Sequence, residues 1–420
     1  MRLTGYEKRM RDGERGAAAA MAMSVIVELA EAVDAPQLVE ITHVHTDSGF
    51  YLGDAGLEFV EHLVRLGGRV AVPTSMNNTS YDIARGGVYG VPDGLLQKIK
   101  RLEQAHLAMG ALGSWTCAPY QDNILPGLRE NVAWSESNAI VYANSILGAR
   151  TNRTGDLVDI CCALTGRAPK SGLYLEENRK AKYLVDLEGF SGDIFADPRF
   201  YPLLGYFIGN RFGNSIVAVS GIPRRAVNLD DLKGFGAAAA SSGATALFHL
   251  EGITPEAITL DSCLDQSVEV ERHAVTLEDI WQSEELLWTA EKDDLDWVGL
   301  GCPHFSKAEF RTLLQCVRGK KINGNVFFTV FTSREILKWA RREGLVDELR
   351  EYGIEVYCDG CLLLYPNYLK SSGTMMTNSV KAANYIHSQA GFKAAYGSIG
   401  DCVASAVEGR ILRSGVPWRM

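Results

Sequence analysis

The stretch Trp297-Val298-Gly299-Leu300-Gly301-Cys302-Pro303-His304 decides how this chain folds. Its first four residues are apolar or small, too few for a helix and without the polar alternation of a half-exposed strand, and they stop at a glycine. That is the pattern of a strand buried on both faces of a parallel sheet. Three more stretches repeat it, at 246–250, 325–331 and 354–357, and helical patterns at 307–316 and 333–342 separate the later ones. Strands alternating with helices build an α/β fold of mostly parallel sheets flanked by helices. Cys302, and Cys358 and Cys361 of Val356-Tyr357-Cys358-Asp359-Gly360-Cys361, then fall just past the carboxyl ends of strands. Open α/β sheets bind their ligands there.

The same rhythm holds toward the N-terminus. Helical patterns at 14–33 and 57–66 alternate with strand patterns at 38–44 and 69–74, and Gly67-Gly68 sits where a helix hands over to a strand. A further helix at 95–109 leads into Gly113-Ser114-Trp115-Thr116-Cys117-Ala118-Pro119-Tyr120, a third cysteine beside turn-forming residues. Residues 135–148 are helical in pattern but unusually polar, and the Gly- and aromatic-rich segment 205–214 precedes a new strand pattern at 215–219. Two lobes follow, 1–210 and 211–420, the second carrying Cys302, Cys358 and Cys361. The four-alanine run at 237–240 reads as helical packing.

Composition excludes several classes. With 46% apolar and 22% charged residues among 420, the chain is an ordinary globular protein. A net charge of −9 and a pI near 5.5 leave no basic surface for nucleic acid. Nine cysteines, an odd number, read as reduced thiols of a cytoplasmic protein. The apolar stretch 17–30 follows Arg9, Arg11 and Arg15, as in a signal peptide, but Glu7, Asp12 and Glu14 dilute the positive charge and Glu28 interrupts the run. It reads as an amphipathic helix, and no run reaches the roughly 18 apolar residues of a membrane span.

Three thiols on separate loops suit an iron–sulfur cluster with one iron left open for chemistry, since such clusters need thiolate ligands. Free cysteine also packs in cores, and spacing alone leaves both readings open. Cys161 and Cys162 are adjacent, and Cys263, Cys316 and Cys402 have no partner signature, so packing accounts for all five.

Several stretches together resemble the large, catalytic part of the aconitase X family. They are Gly56-Leu57-Glu58-Phe59, Pro73-Thr74-Ser75-Met76-Asn77, Thr116-Cys117-Ala118-Pro119-Tyr120, and the long block from Glu130-Asn131-Val132-Ala133-Trp134-Ser135-Glu136-Ser137-Asn138-Ala139 to Gly148-Ala149-Arg150-Thr151-Asn152-Arg153. Leu164-Thr165-Gly166-Arg167, Gly301-Cys302-Pro303-His304 and Thr377-Asn378-Ser379-Val380-Lys381 complete the likeness. The resemblance implies an aconitase-like fold with its active site at a cleft between lobes, and a hydro-lyase that uses an iron–sulfur cluster of unspecified nuclearity to remove water from a small hydroxy acid. It implies Cys117, Cys302 and Cys361 as cluster ligands. Cys358 adds a C-x-x-C, so Cys302, Cys358 and Cys361 form the rival triad of ordinary aconitases.

His304 and Lys381 are the catalytic candidates, His304 because it stands beside Cys302, where it could donate to a cluster sulfur or to substrate, and Lys381 because the resemblance ties its position to the active site. The resemblance also places Asp47, Ser48, Asn77, Ser137, Asn138 and Arg150 around the substrate, with Arg150 suited to grip a carboxylate bidentately. The loop His43-Val44-His45-Thr46-Asp47-Ser48-Gly49 departs from the branch that dehydrates 5-phosphomevalonate, where small uncharged residues stand. A carboxylate about 4 Å from a phosphate costs on the order of 4 kcal/mol at an effective dielectric near 20. The same carboxylate attracts an ammonium, so cis-3-hydroxy-L-proline is the expected substrate, with phosphomevalonate second and a non-catalytic iron–sulfur protein third. The family needs a small swivelling domain that carries the catalytic base, so a small partner subunit is expected; neither nucleic acid nor membrane is.

Overall fold

The computed structural model describes residues 1–47, 50–85, 91–364 and 372–419. The chain forms two compact units, one of Met1–Ser80 and Val91–Lys180, the other of Tyr81–Gly90 and Ala181–Met420.

The first unit holds β1 (Leu38–Glu40), β2 (Val44–Thr46), β3 (Thr74–Met76), β4 (Ala133–Trp134) and β5 (Arg167–Pro169). β1 and β5 pair antiparallel, and β2 lies between β3 and β4 in a parallel sheet. The strand expected at 38–44 is therefore two strands in two sheets. Between them, Ile41 N–H reaches Gly166 O and Thr42 N–H reaches Asn131 O. The strand expected at 69–74 begins only at Thr74, because the backbone ahead of it bonds to helix ends: Val70 N–H to Met109 O, and Ala71 N–H to Ala163 O. Helix Ala17–Ala32 packs its alanine-rich face on the core with Val44, Leu57, Ile160 and Leu164, and Cys161 and Cys162 are buried in that core.

The second unit has two sheets. β6 (Tyr183–Asp186), β7 (Val217–Ser220), β8 (Phe248–Leu250) and β9 (Glu271–Ala274) form one in the order β8-β7-β6-β9, all parallel. β10 (Trp297–Leu300), β11 (Phe327–Thr332), β12 (Ile354–Cys358), β13 (Thr374–Thr377) and β14 (Lys393–Tyr396) form the other in the order β12-β11-β10-β13-β14, also all parallel. From β10 the chain winds outward to β11 and β12, then returns to the other side for β13 and β14. The winding reverses at β10, where an open sheet leaves a crevice at its carboxyl edge. Among the described residues no helix is long and apolar enough to cross a membrane.

The division expected at residue 210 falls inside helix Phe200–Phe212. The glycines that suggested a break are there for packing against helix Leu229–Gly243: a Cβ on Gly205 would stand 2.3 Å from the Phe235 carbonyl oxygen, and Gly243 faces Gly209 as closely. Gly205→Ala is expected to lower the urea midpoint of unfolding. The better helix propensity of alanine is worth about 1 kcal/mol, whereas forcing a methyl into a helix backbone costs about 1–3 kcal/mol or more. A raised midpoint would mean that the two helices can part without loss.

Candidate active site

In the first unit the three parallel strands each deliver a polar residue at their carboxyl edge. Asp47 follows β2, Asn77 follows β3, and Ser135 and Glu136 follow β4. The in-register pairing of His45 with Ser75 and with Trp134 makes those ends level. The Asn77 amide nitrogen donates to Asp47 Oδ1 and, at 3.1 Å, to Glu136 Oε2. The other Glu136 oxygen, Oε1, accepts from Asn138 Nδ2 at 2.7 Å, from Ser137 Oγ at 3.1 Å and from Asn138 N–H at 3.3 Å, which caps helix Ser137–Val141. Asn138 also donates to the Cys117 carbonyl at 2.9 Å and accepts from Tyr120 Oη at 2.8 Å. Cys117 is thereby tied to the Glu136 helix. It leaves a segment that runs beside β3, with Thr116 N–H on Met76 O.

Charge in this cluster is one-sided. Burial first, then the Glu136 carboxylate, push Asp47 up to about 8; Asn77 opposes them, and Asp156 and Asp159 add to the rise. Asp159 Oδ2 accepts the Asp47 backbone N–H at 2.6 Å. Burial lowers His43 to about 4 and His45 to about 3, so both rings are neutral at pH 7. Their contacts agree: Trp134 Nε1 donates to His43 Nδ1 at 3.0 Å, and His45 Nδ1 shares a proton with Ser75 Oγ at 2.7 Å. Neither histidine offsets the carboxylates.

In the second unit, Gly301 turns the chain off β10 at φ +96, where a Cβ would stand 2.0 Å from Phe331 O. Only glycine fits. Cys302 follows, its carbonyl accepting from Ser379 Oγ, and Ser379 caps helix Val380–Ala390, in which Lys381 is the second residue. Lys381 and Cys302 thus sit on neighbouring strand ends across the reversal of the sheet. His304 is 1% exposed and its Nε2 bonds Gly360 O at 3.0 Å, joining the Cys302 loop to the Cys361 loop. That contact makes it a brace between loops.

The thiols can be tested against a cluster. Cys302 and Cys361 are both partly exposed at the carboxyl edge of one sheet, whereas Cys117, in the first unit, is buried. Cys358 is the last residue of β12 and 4% exposed; burial, then Asp359 and Asp82, push its thiol far above the ordinary range. The ligand atoms of Asp82, Cys358 and Asp359 lie within 4.8 Å of one another. Arg334 holds Asp359, and backbone N–H groups hold Asp82, so the group is a satisfied hydrogen-bond network.

One other expectation meets contrary geometry. Arg150 is an expected carboxylate clamp, but its Nη2 pairs with Glu176 and its Nη1 donates to Tyr174 O at 3.2 Å. Ser48 lies outside the described residues. Sequence reading noted Glu136 only within the polar run that begins at Ser135, without singling it out, and passed over Asp159. Glu136 had a signal, since it heads a helix directly after a buried strand.

Sequence models of the aconitase X first, second and third domains match residues 1–177, 181–285 and 295–408. The chain belongs to the aconitase X family. The division between its compact units, at Lys180 and Ala181, lies between the first and second aconitase X domains. Among aconitase X relatives, the cis-3-hydroxy-L-proline dehydratase of Hypocrea jecorina is 40% identical over 97% of this chain and 69% of its own length. That of Pseudomonas aeruginosa is 38% identical over 97% and 70%. The phosphomevalonate dehydratase large subunit of Methanothermobacter thermautotrophicus is 35% identical over 93% of this chain and 95% of its own. The crystal structure of Thermococcus kodakaraensis aconitase X in its holo-form superposes with a TM-score of 0.86 at 29% identity, covering 97% of this chain and all of that one.

Proposed function

We propose that this chain is the large part of a hydro-lyase that dehydrates cis-3-hydroxy-L-proline. The observation that carries the substrate is the Asp47–Asn77–Glu136 cluster beside two neutral histidines. Such a site repels a phosphate dianion. It receives a secondary ammonium, which replaces the proton that Asp47 holds in the free protein. Relatives that carry this activity, at 40% and 38% identity, accord with it.

Cys302 and Cys361 are the proposed thiolates of an iron–sulfur cluster in the second unit. Cys117 is the proposed third ligand on the strength of its sequence motif alone. When bound, the cluster supplies a Lewis acid that takes up negative charge on the departing hydroxyl oxygen. Lys381, two residues past the serine that binds the Cys302 carbonyl, is the proposed active-site cation. Asp47 holds the imino acid by its nitrogen, Asn77 fixes the Asp47 carboxyl, and Glu136 fixes Asn77. The proton from the adjacent carbon goes to a base on a small partner, as expected for a relative of proteins named large subunits.

The test is a rate measurement with anaerobically prepared chain, alone and with a small swivelling-domain subunit. Dehydration of cis-3-hydroxy-L-proline only in the presence of the partner is expected. Turnover of 5-phosphomevalonate with none on hydroxyproline would overturn the substrate; robust turnover by the chain alone would overturn the partner.

A further inference from the structure

The turn at 358–361 is held from three sides, by residues that no spacing in the sequence connects. Arg334, the first residue after the cap that follows β11, donates from Nε to Asp359 Oδ1 at 2.6 Å and from Nη2 to Oδ2 at 2.9 Å. This is the parallel, two-pronged pairing that fixes a carboxylate in direction as well as distance. Asp359 is fully buried and its backbone is left-handed, φ +66, an uncommon conformation for a residue with a side chain. The Cys358 N–H on one side of it donates to Asp82 Oδ2 at 3.2 Å. Asp82 is in turn anchored, its Oδ1 accepting from Ala84 N–H at 3.0 Å and Arg85 N–H at 3.1 Å. The carbonyl of Gly360, on the other side, is held by His304 Nε2, and a Cβ on Gly360 would come within 3.2 Å of the Tyr81 backbone. A single carboxylate, Asp359, sits at the centre of these anchors, two residues before Cys361.

We infer that Asp359, gripped by Arg334, is a positioning residue for Cys361: the pair holds the turn in the left-handed shape that presents this thiol at the carboxyl edge of the sheet. The inference rests on the proposed cluster reading, in which Cys361 is a ligand. The physical reason for so heavy a brace is that a cluster leaves when one thiolate swings away. Groups that orient metal ligands are worth about 10–100-fold in metal retention. Arg334 itself is about one-third exposed, so it can turn to water when its partner is removed.

Asp359→Gly removes the carboxylate but keeps a residue at ease with the left-handed backbone, and Asp359→Asn keeps one hydrogen-bond acceptor for Arg334. Both are expected to fold, with urea midpoints for the cluster-free chain close to wild type. After anaerobic reconstitution with iron and sulfide, visible absorption should decay under a chelator at least tenfold faster in Asp359→Gly than in wild type, with Asp359→Asn between them. Arg334→Lys, which keeps the charge but not the fork, should resemble Asp359→Asn. Equal decay of Asp359→Gly and wild type would overturn the positioning role while leaving the cluster intact. A wild-type chain that takes up no iron or sulfide would overturn the cluster reading and this inference with it.

Discussion

Cys302→Ala and Cys361→Ala are each expected to abolish the iron and sulfide bound by the anaerobically reconstituted chain, whereas Cys358→Ala, Cys263→Ala and Cys316→Ala retain it. Cys302 leaves the central strand of a five-stranded parallel sheet at the point where its winding reverses, and His304 links its loop to that of Cys361. Both residues are partly exposed at that edge. Cys358 is in the core beneath them, with Asp82 and Asp359 opposing its ionisation. It is part of the hydrophobic core rather than of the sheet edge where Cys302 and Cys361 stand. Cys117→Ala is expected to behave like Cys302→Ala. The measurement is iron and sulfide per chain together with visible absorption. Loss on Cys358→Ala with retention on Cys117→Ala would put Cys358 in the place of Cys117 and restore the triad of ordinary aconitases.

Asp47→Asn should lower kcat/KM for cis-3-hydroxy-L-proline by about tenfold or more at pH 8, the loss of about 1.4 kcal/mol or greater expected when a charge-assisted contact disappears. The effect should shrink toward pH 6. In the free protein Asp47 holds its proton up to about pH 8, under pressure from Glu136, Asp156 and Asp159 and with only the Asn77 amide opposing them. A cationic substrate must displace that proton, so wild-type affinity rises with pH through this range and levels off above it. Asparagine has no proton to lose, and its profile should be flat.

The same substitution should stabilise the fold. A carboxyl whose folded value is raised contributes stability that is full below its ordinary value of 3.8 and lost as pH rises to about 8. Asp47→Asn removes that loss, so the gain in melting temperature over wild type should be near zero at pH 4 and largest at pH 8. A gain in stability combined with a loss in activity is the signature of a site residue held at a cost to the fold. A variant with unchanged kcat/KM at pH 8 would mean that Asp47 faces away from the substrate nitrogen.

Much of the fold was legible because buried parallel strands are written in runs of apolar residues. β10 appears in the sequence with its true bounds, and β11 and β12 within a residue or two. β9, with the sequence Glu-Arg-His-Ala, carries no such signal: it is an edge strand, open to water, and its pairing with β6 alone makes it a strand. The glycines of helix Phe200–Phe212 read as a break because glycine has the same spelling in a loop and at a close helix contact. Only the partner helix tells them apart.

By itself the sequence determined the family, the α/β class, and the presence of Cys302, Cys361 and Asp47 in loops at strand ends, since these follow from local patterns and motifs. The tertiary structure decided what those residues face. Asn77 meets carboxyl groups 30 and 59 positions away, and Arg334 meets one 25 positions away. Parallel strands bring their ends level across any length of intervening chain, so such meetings leave no periodicity to read. The neutral state of His43 and His45, and the engagement of Arg150 with Glu176, follow from burial and from partners that only the folded chain supplies.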